Sequence, residues 1–75
     1  MNKQKREKLK EASSHLSTAR SLISFVKDQE QCDLDNFPEN LQESERCRVM
    51  EEAIDELDEA IENIDRAHDN INNAI

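Results

Sequence analysis

Apolar side chains recur with a seven-residue period in the second half of the chain. From Glu51 the sequence reads EEAIDEL, DEAIENI, DRAHDNI and NNAI, so the apolar positions alternate steps of four and three residues. This spacing is typical of a helix that packs one face against another helix. The stripe consists of Met50, Ile54, Leu57, Ile61, Ile64, His68, Ile71 and Ile75.

The first half of the chain keeps the same period with smaller side chains. Leu22 and Phe25 lie beside this first stripe and widen it toward the middle of the chain. The stripe itself consists of Leu9, Ala12, Leu16, Ala19, Ile23 and Val26. We therefore expect two helices that each present an apolar face.

The segment CDLDNFPENLQESER separates the two helices. Pro38 disfavours helix at Phe37, and the spacing from Asn36 to Glu39 is that of a capping box that can begin a short helical turn. Ser44 is a second candidate N-cap. The predicted elements are helix 1 at about 3–31, a hinge at about 32–43 and helix 2 at about 44–75, with boundaries good to a few residues.

Two helices of equal length joined by a short hinge predict an all-α, antiparallel, coiled-coil-like hairpin in a single domain, 1–75. The apolar layers align best when Leu16 faces Ile64 and Ile23 faces Leu57, a register that places His68 opposite Ala12. The basic N-terminal residues then lie beside the acidic C-terminal half of helix 2. This arrangement of charge favours the antiparallel orientation.

A lone hairpin buries only one seam and leaves the side with Leu22 and Phe25 exposed. Ordering costs about 1.5 kcal/mol per residue, and chains below roughly 70–80 residues rarely offset that with one core. We therefore predict self-association into a helical-bundle oligomer, a homodimer or larger.

Composition narrows the classes of function. The 75 residues include no Gly and one Pro, which argues against Gly-rich phosphate loops and tight β-hairpins. A net charge of -8 predicts no direct binding to nucleic acid or to an anionic membrane. No apolar stretch approaches the ~20 residues of a membrane span, and Cys32 and Cys47 do not make a disulfide framework. We expect a cytoplasmic protein with free thiols.

The ionisable side chains do not suggest an active site. The carboxylates lie on the outward side of helix 2, whereas acid–base catalysis needs them in a cleft. His68 with His15 and Asp65 falls short of the three or four convergent ligands of a metal site. A buried polar residue that sets the helix register is the simpler interpretation of His68. We predict no catalysis, no metal and no cofactor.

The acidic face of helix 2 is the leading candidate for a partner surface. Residues four apart on a helix lie ~6 Å apart, close to the spacing of phosphates along DNA, so such a row suits the basic surface of another protein. A solvated face that only keeps the protein soluble is the competing interpretation. The predicted acidic face consists of Asp55, Glu56, Glu59 and Glu62, and the predicted hinge contact of Leu34, Phe37 and Leu41.

Two other functions remain open. Arg20, Arg46 and Arg48 could line a pocket between protomers that sequesters a small anionic signalling nucleotide. The chain could also be a structural assembly element.

The stretch FPENLQESER, with the acidic heptads that follow it, resembles small acidic helical accessory proteins of bacteriophages and mobile elements. The resemblance covers roughly residues 30–75. It implies a protein that binds and inhibits a host protein, including one of antiviral defence, in the host cytoplasm. It implies no particular functional residues.

Overall fold

A computed structural model describes residues 1–41 and 44–75. The chain forms α1 at Lys3–Asp35, a short 3-10 helix at Glu39–Leu41, and α2 at Glu45–Ala74. The two long helices pack side by side in opposite directions, in a rod of 59 × 15 × 12 Å. The described residues contain no β-strand. The predicted all-α helical hairpin is confirmed.

Polar side chains cap both helices where the chain enters them. The side chain of Asn2 accepts a hydrogen bond of 2.8 Å from the backbone N–H of Lys5. Ser44 Oγ accepts one of 3.3 Å from the N–H of Cys47, which confirms the predicted cap of α2. Each cap satisfies a backbone donor that the first helical turn leaves unpaired.

The end of α1 lies further along the chain than predicted. The helix continues to Asp35 rather than stopping at about residue 31. Asn36 ends it: its side-chain amide donates to the carbonyl of Cys32 at 2.9 Å, and its backbone N–H donates to the same carbonyl at 3.1 Å. Asn36 is therefore the residue at which α1 ends, and not the start of the next helical turn. The helical turn predicted in the hinge corresponds to the 3-10 helix at Glu39–Leu41.

The longer α1 changes the register between the helices. Arg20 pairs with Asp65, where the predicted register places Ala60, and Lys27 pairs with Asp58 in place of Ala53. Each α1 residue lies further from the turn than expected, so it meets a residue about five positions further along α2. The predicted register was wrong in this respect.

The apolar stripe of α2 lies against α1 as predicted. Ile54 and Cys47 are buried, with 6% and 2% of their surface exposed, and the remaining stripe residues between positions 50 and 71 are half-buried. In α1, Leu9, Leu16 and Ile23 are half-buried on the same seam. The elongated hairpin is only two helices wide, so most seam residues keep one edge in water.

Val26 does not belong to the core, so the prediction that placed it there was wrong. It is 48% exposed, and Lys27, the next residue, takes the seam position and reaches Asp58. One residue is a rotation of about 100° around a helix, so moving Lys27 onto the seam turns Val26 outward.

None of the described helices has both the length and the apolar character needed to cross a bilayer.

Candidate functional site

The acidic face of α2, formed by Asp55, Glu56, Glu59 and Glu62, is exposed along its whole length. The helical period holds it there, because Ile54, Leu57 and Ile61 turn toward α1 and leave the carboxylates on the opposite side. Asp55, Glu59 and Glu62 follow one another at steps of four and three residues. Neighbouring Cβ atoms in such a row lie about 5–6 Å apart.

The acidic face makes no ion pair with any of the described residues. Two other α2 carboxylates, closer to the seam, are paired across the hairpin. Asp65 accepts two hydrogen bonds from the Arg20 guanidinium, at 2.7 and 3.2 Å, and Asp58 pairs with Lys27. Asp58 and Asp65 are therefore held by α1, whereas the outward carboxylates form no ion pair among the described residues.

These cross-helix pairs change the titration of the groups they join. The hydrogen bond and charge of Arg20 lower the pKa of Asp65. The hydrogen bond to Asp58 raises the pKa of Lys27. In both cases the pair stabilises the charged form. The pairs join the two helices at the observed register.

The three arginines of the predicted anion site are not brought together within one chain. Arg20 holds Asp65, and Arg48 holds Glu45 and, at 2.8 Å, Glu52. Asp65 and Arg48 lie about 25 Å apart along α2 at 1.5 Å per residue. Two of the three guanidinium groups are thus already engaged by carboxylates of their own chain.

Arg46 lies at the hinge, in a groove of about 450 Å³. The groove is lined in part by Glu30, Asp33 and the aromatic ring of Phe37. Two carboxylates beside a single arginine give this groove a poor charge balance for an anion.

The predicted hinge contact is only partly exposed. Leu34 and Phe37 are half-buried, and Leu41 is 46% exposed. Phe37 lines the groove together with Pro38 and Met50. Leu41 is the member of this group with the most accessible surface for a partner.

His68 is half-buried on the seam, where its Nε2 lies 3.3 Å from Ser17 Oγ. This neighbour replaces Ala12, which the predicted register placed opposite it. A hydroxyl that can donate or accept satisfies the ring in either tautomer. Among the described residues, no cluster of three or more His, Cys, Asp or Glu side chains has the arrangement of a metal site.

Both cysteines are free thiols: Cys32 is exposed and Cys47 is buried. Burial, with the nearby charge of Glu51, raises the pKa of the Cys47 thiol. A buried thiol with a raised pKa is a poor nucleophile. Cys47 therefore contributes to packing beside the hinge.

Sequence reasoning placed Leu22 and Phe25 on an exposed side of α1 but assigned Val26 to the seam, and so missed the full extent of this outward apolar surface. Leu22, Phe25 and Val26 are 63%, 61% and 48% exposed. All three lie within five positions, at the helical spacing that places side chains on one side. The signal was present in the sequence, because this segment holds more apolar residues than one seam can bury.

No protein-family model, curated protein or solved structure matches this chain significantly.

Proposed function

We propose that the chain is a non-catalytic, oligomeric protein-interaction module. Its acidic face, Asp55, Glu56, Glu59 and Glu62, binds a basic surface of another protein and blocks it. The partner is a host protein, as the resemblance of FPENLQESER and its flanking heptads to small phage accessory proteins implies. The complex forms in the cytoplasm of the host.

The observation that carries this proposal is the division of carboxylates on α2. Asp58 and Asp65 are held by cations of α1, whereas the acidic face is exposed and unpaired among the described residues. A row of like charges on a helix is mildly destabilising to that helix. A basic partner surface would offset this repulsion, and a row of fixed charge steers such a partner into contact.

Charge also selects the class of partner. The chain carries a net charge of -8, and α2 contains ten acidic and three basic side chains. Such a surface repels nucleic acid and anionic lipid and attracts a groove rich in lysine and arginine. A protein that itself binds nucleic acid or nucleotides presents a surface of this kind.

The test is an affinity capture from host lysate in parallel with a charge-reversed variant. The variant carries Asp55→Lys, Glu59→Lys and Glu62→Lys. The matched control carries Glu7→Lys, Glu11→Lys and Asp28→Lys, three exposed acidic positions on α1, so both variants change the net charge equally. Captured proteins are identified by mass spectrometry, and their affinity is measured with purified components.

We expect a basic protein that binds the wild type and the control, with affinity that falls as salt is raised. The acidic-face variant should bind at least about tenfold more weakly. Equal binding by both variants would refute the role of the acidic face. Equal loss in both would show that net charge alone, rather than this surface, drives the interaction.

A further inference from the structure

The hairpin exposes more surface than a folded protein of its size normally does. Its accessible surface is 5787 Å², whereas a monomeric globular protein of 8.7 kDa exposes about 4,700 Å² on average. The excess, about 1,000 Å², is comparable with the ~800 Å² that each partner buries in a standard protein–protein interface. One interface with a second copy would remove it.

The exposed apolar surface is concentrated on α1. Leu22, Phe25 and Val26 form what we name the α1 apolar patch. On the same side of the helix, Thr18 and Gln29 flank the patch, and Glu30 and Asp33 lie beside Val26 on the side toward the hinge. Contiguous exposed apolar side chains on a soluble protein mark an interaction surface.

The distribution of charge along α1 indicates which occupant fits the patch. Residues 3–20 carry six basic and two acidic side chains, and residues 21–35 carry one basic and four acidic. Two α1 helices that run in opposite directions, centred near residue 24, overlap over residues 13–35. The acidic segment 28–35 of each then lies beside residues 13–20 of the other, which carry Arg20 and no acidic side chain, and Lys10 lies one turn beyond. A parallel arrangement would place like charges together, and contact between two acidic α2 helices is repulsive.

We propose that a second copy of this chain docks on the α1 apolar patch, with the two α1 helices antiparallel about a two-fold axis near residue 24. Each patch is then self-complementary, as a two-fold interface requires. The assembly is a four-helix bundle with the α1 helices at its centre, and the acidic α2 helices are kept apart. The inference rests on the oligomeric state in the proposed function and is independent of the partner of the acidic face.

Sedimentation equilibrium of the full chain tests the surface. Wild type should sediment as two chains at micromolar concentration, and Phe25→Glu as one. A glutamate on each side of the two-fold axis places two like charges in an apolar contact, which should raise the dissociation constant at least about 100-fold. Val49→Glu is the matched control, because Val49 is 52% exposed on α2 and lies outside the patch. It should remain a dimer.

The outcomes separate this inference from the proposed function. A dimeric Phe25→Glu variant would overturn the patch as the interface and leave the oligomeric state intact. A monomeric wild type would overturn both. Circular dichroism of Phe25→Glu should keep the helical signal of wild type, so loss of the dimer is not mistaken for unfolding.

A spin label tests the orientation. Cys32 is exposed and Cys47 is 2% exposed, so a thiol-specific label on the folded protein attaches at Cys32, and Cys32→Ser supplies the unlabelled control. In the antiparallel dimer the two Cys32 positions lie about 24 Å apart along the helices, at 1.5 Å per residue. A label separation of about 20–30 Å supports the proposal. Strong short-range broadening, from labels about 10 Å apart as in a parallel pair, overturns it.

Discussion

The two helices of the hairpin meet at one seam but bring different chemistry to it. α2 presents a regular row of isoleucine and leucine, and the two buried residues among those described, Cys47 and Ile54, both belong to it. Within α1, every residue of which is described, no side chain is buried. Its seam beyond Ile23 includes Lys27, which pairs with α2, while Leu22, Phe25 and Val26 turn outward.

This difference shows that an apolar stripe and a packing seam need not coincide. The long stem of Lys27 covers apolar surface while its ammonium reaches a carboxylate. Lys27 can therefore occupy the seam in place of Val26, the preceding residue, which then faces outward. α1 therefore has apolar residues to spare. α2 has none of comparable size in a cluster, and its outward side is acidic.

The largest expected effect on stability comes from truncating one seam isoleucine of each helix to alanine. Ile54→Ala removes a buried side chain and should lower the free energy of unfolding by about 2–5 kcal/mol. Ile23→Ala, at a half-buried position, should cost about half as much because less surface leaves water on folding. Urea denaturation at one fixed protein concentration measures both. Equal losses would mean that the two helices contribute equally to the core.

A smaller difference is expected between the two helix caps. Ser44→Ala removes the hydrogen bond to the N–H of Cys47, the most buried of the described residues, and should cost roughly 1 kcal/mol. Asn2→Ala removes the equivalent bond at the exposed start of α1 and should cost less than about 0.5 kcal/mol, because that end frays before the hairpin opens. Thermal denaturation of both variants gives the comparison. A larger loss at Asn2 would contradict it.

The sequence predicted α2 more accurately than α1, for a physical reason. In α2 the seven-residue period and the Ser44 cap indicate the same helix with the same face toward α1. No second apolar cluster on α2 competes with that face. In α1 the stripe through Val26 and the seam through Lys27 differ by one residue. The choice depends on a cation reaching Asp58 from the other helix, and such a long-range contact leaves no local pattern.

The register error has a different, local origin. The residue that ends α1 is Asn36, but the spacing from Asn36 to Glu39 also fits a capping box that begins a helical turn, and this ambiguity placed the end of α1 too early. For the acidic face, the period alone places Asp55, Glu59 and Glu62 on the side away from the apolar stripe, and the structure leaves them exposed. Asp58 and Asp65 differ from those three because cations of α1 pair with them. That difference could not be predicted, because it depends on the observed register between the helices.

The smallest effect we expect is a difference in the pH dependence of Tm between variants of a paired and of an unpaired carboxylate of α2. Arg20 lowers the pKa of Asp65 below its ordinary value of 3.8, so the folded state favours the ionised carboxylate. The pair therefore adds stability in full above that ordinary pKa and loses it as pH falls through the lower pKa of the folded state. Asp65→Asn should give a slightly lower Tm than wild type at neutral pH, and the gap should close below about pH 4.

Glu62→Gln is the matched control on the same helix, because Glu62 makes no ion pair among the described residues. Its substitution removes repulsion from Glu59 and the weak attraction of Arg66, four residues further along α2, so its Tm at neutral pH should stay close to that of wild type. High salt should reduce the Asp65→Asn effect, since the pair is exposed to solvent. A Tm for Asp65→Asn that follows Glu62→Gln across this range would show that the cross-helix pair adds no stability to the hairpin. The seam would then rest on the apolar side chains of both helices, Leu16 and Ile23 of α1 among them, without a contribution from Arg20.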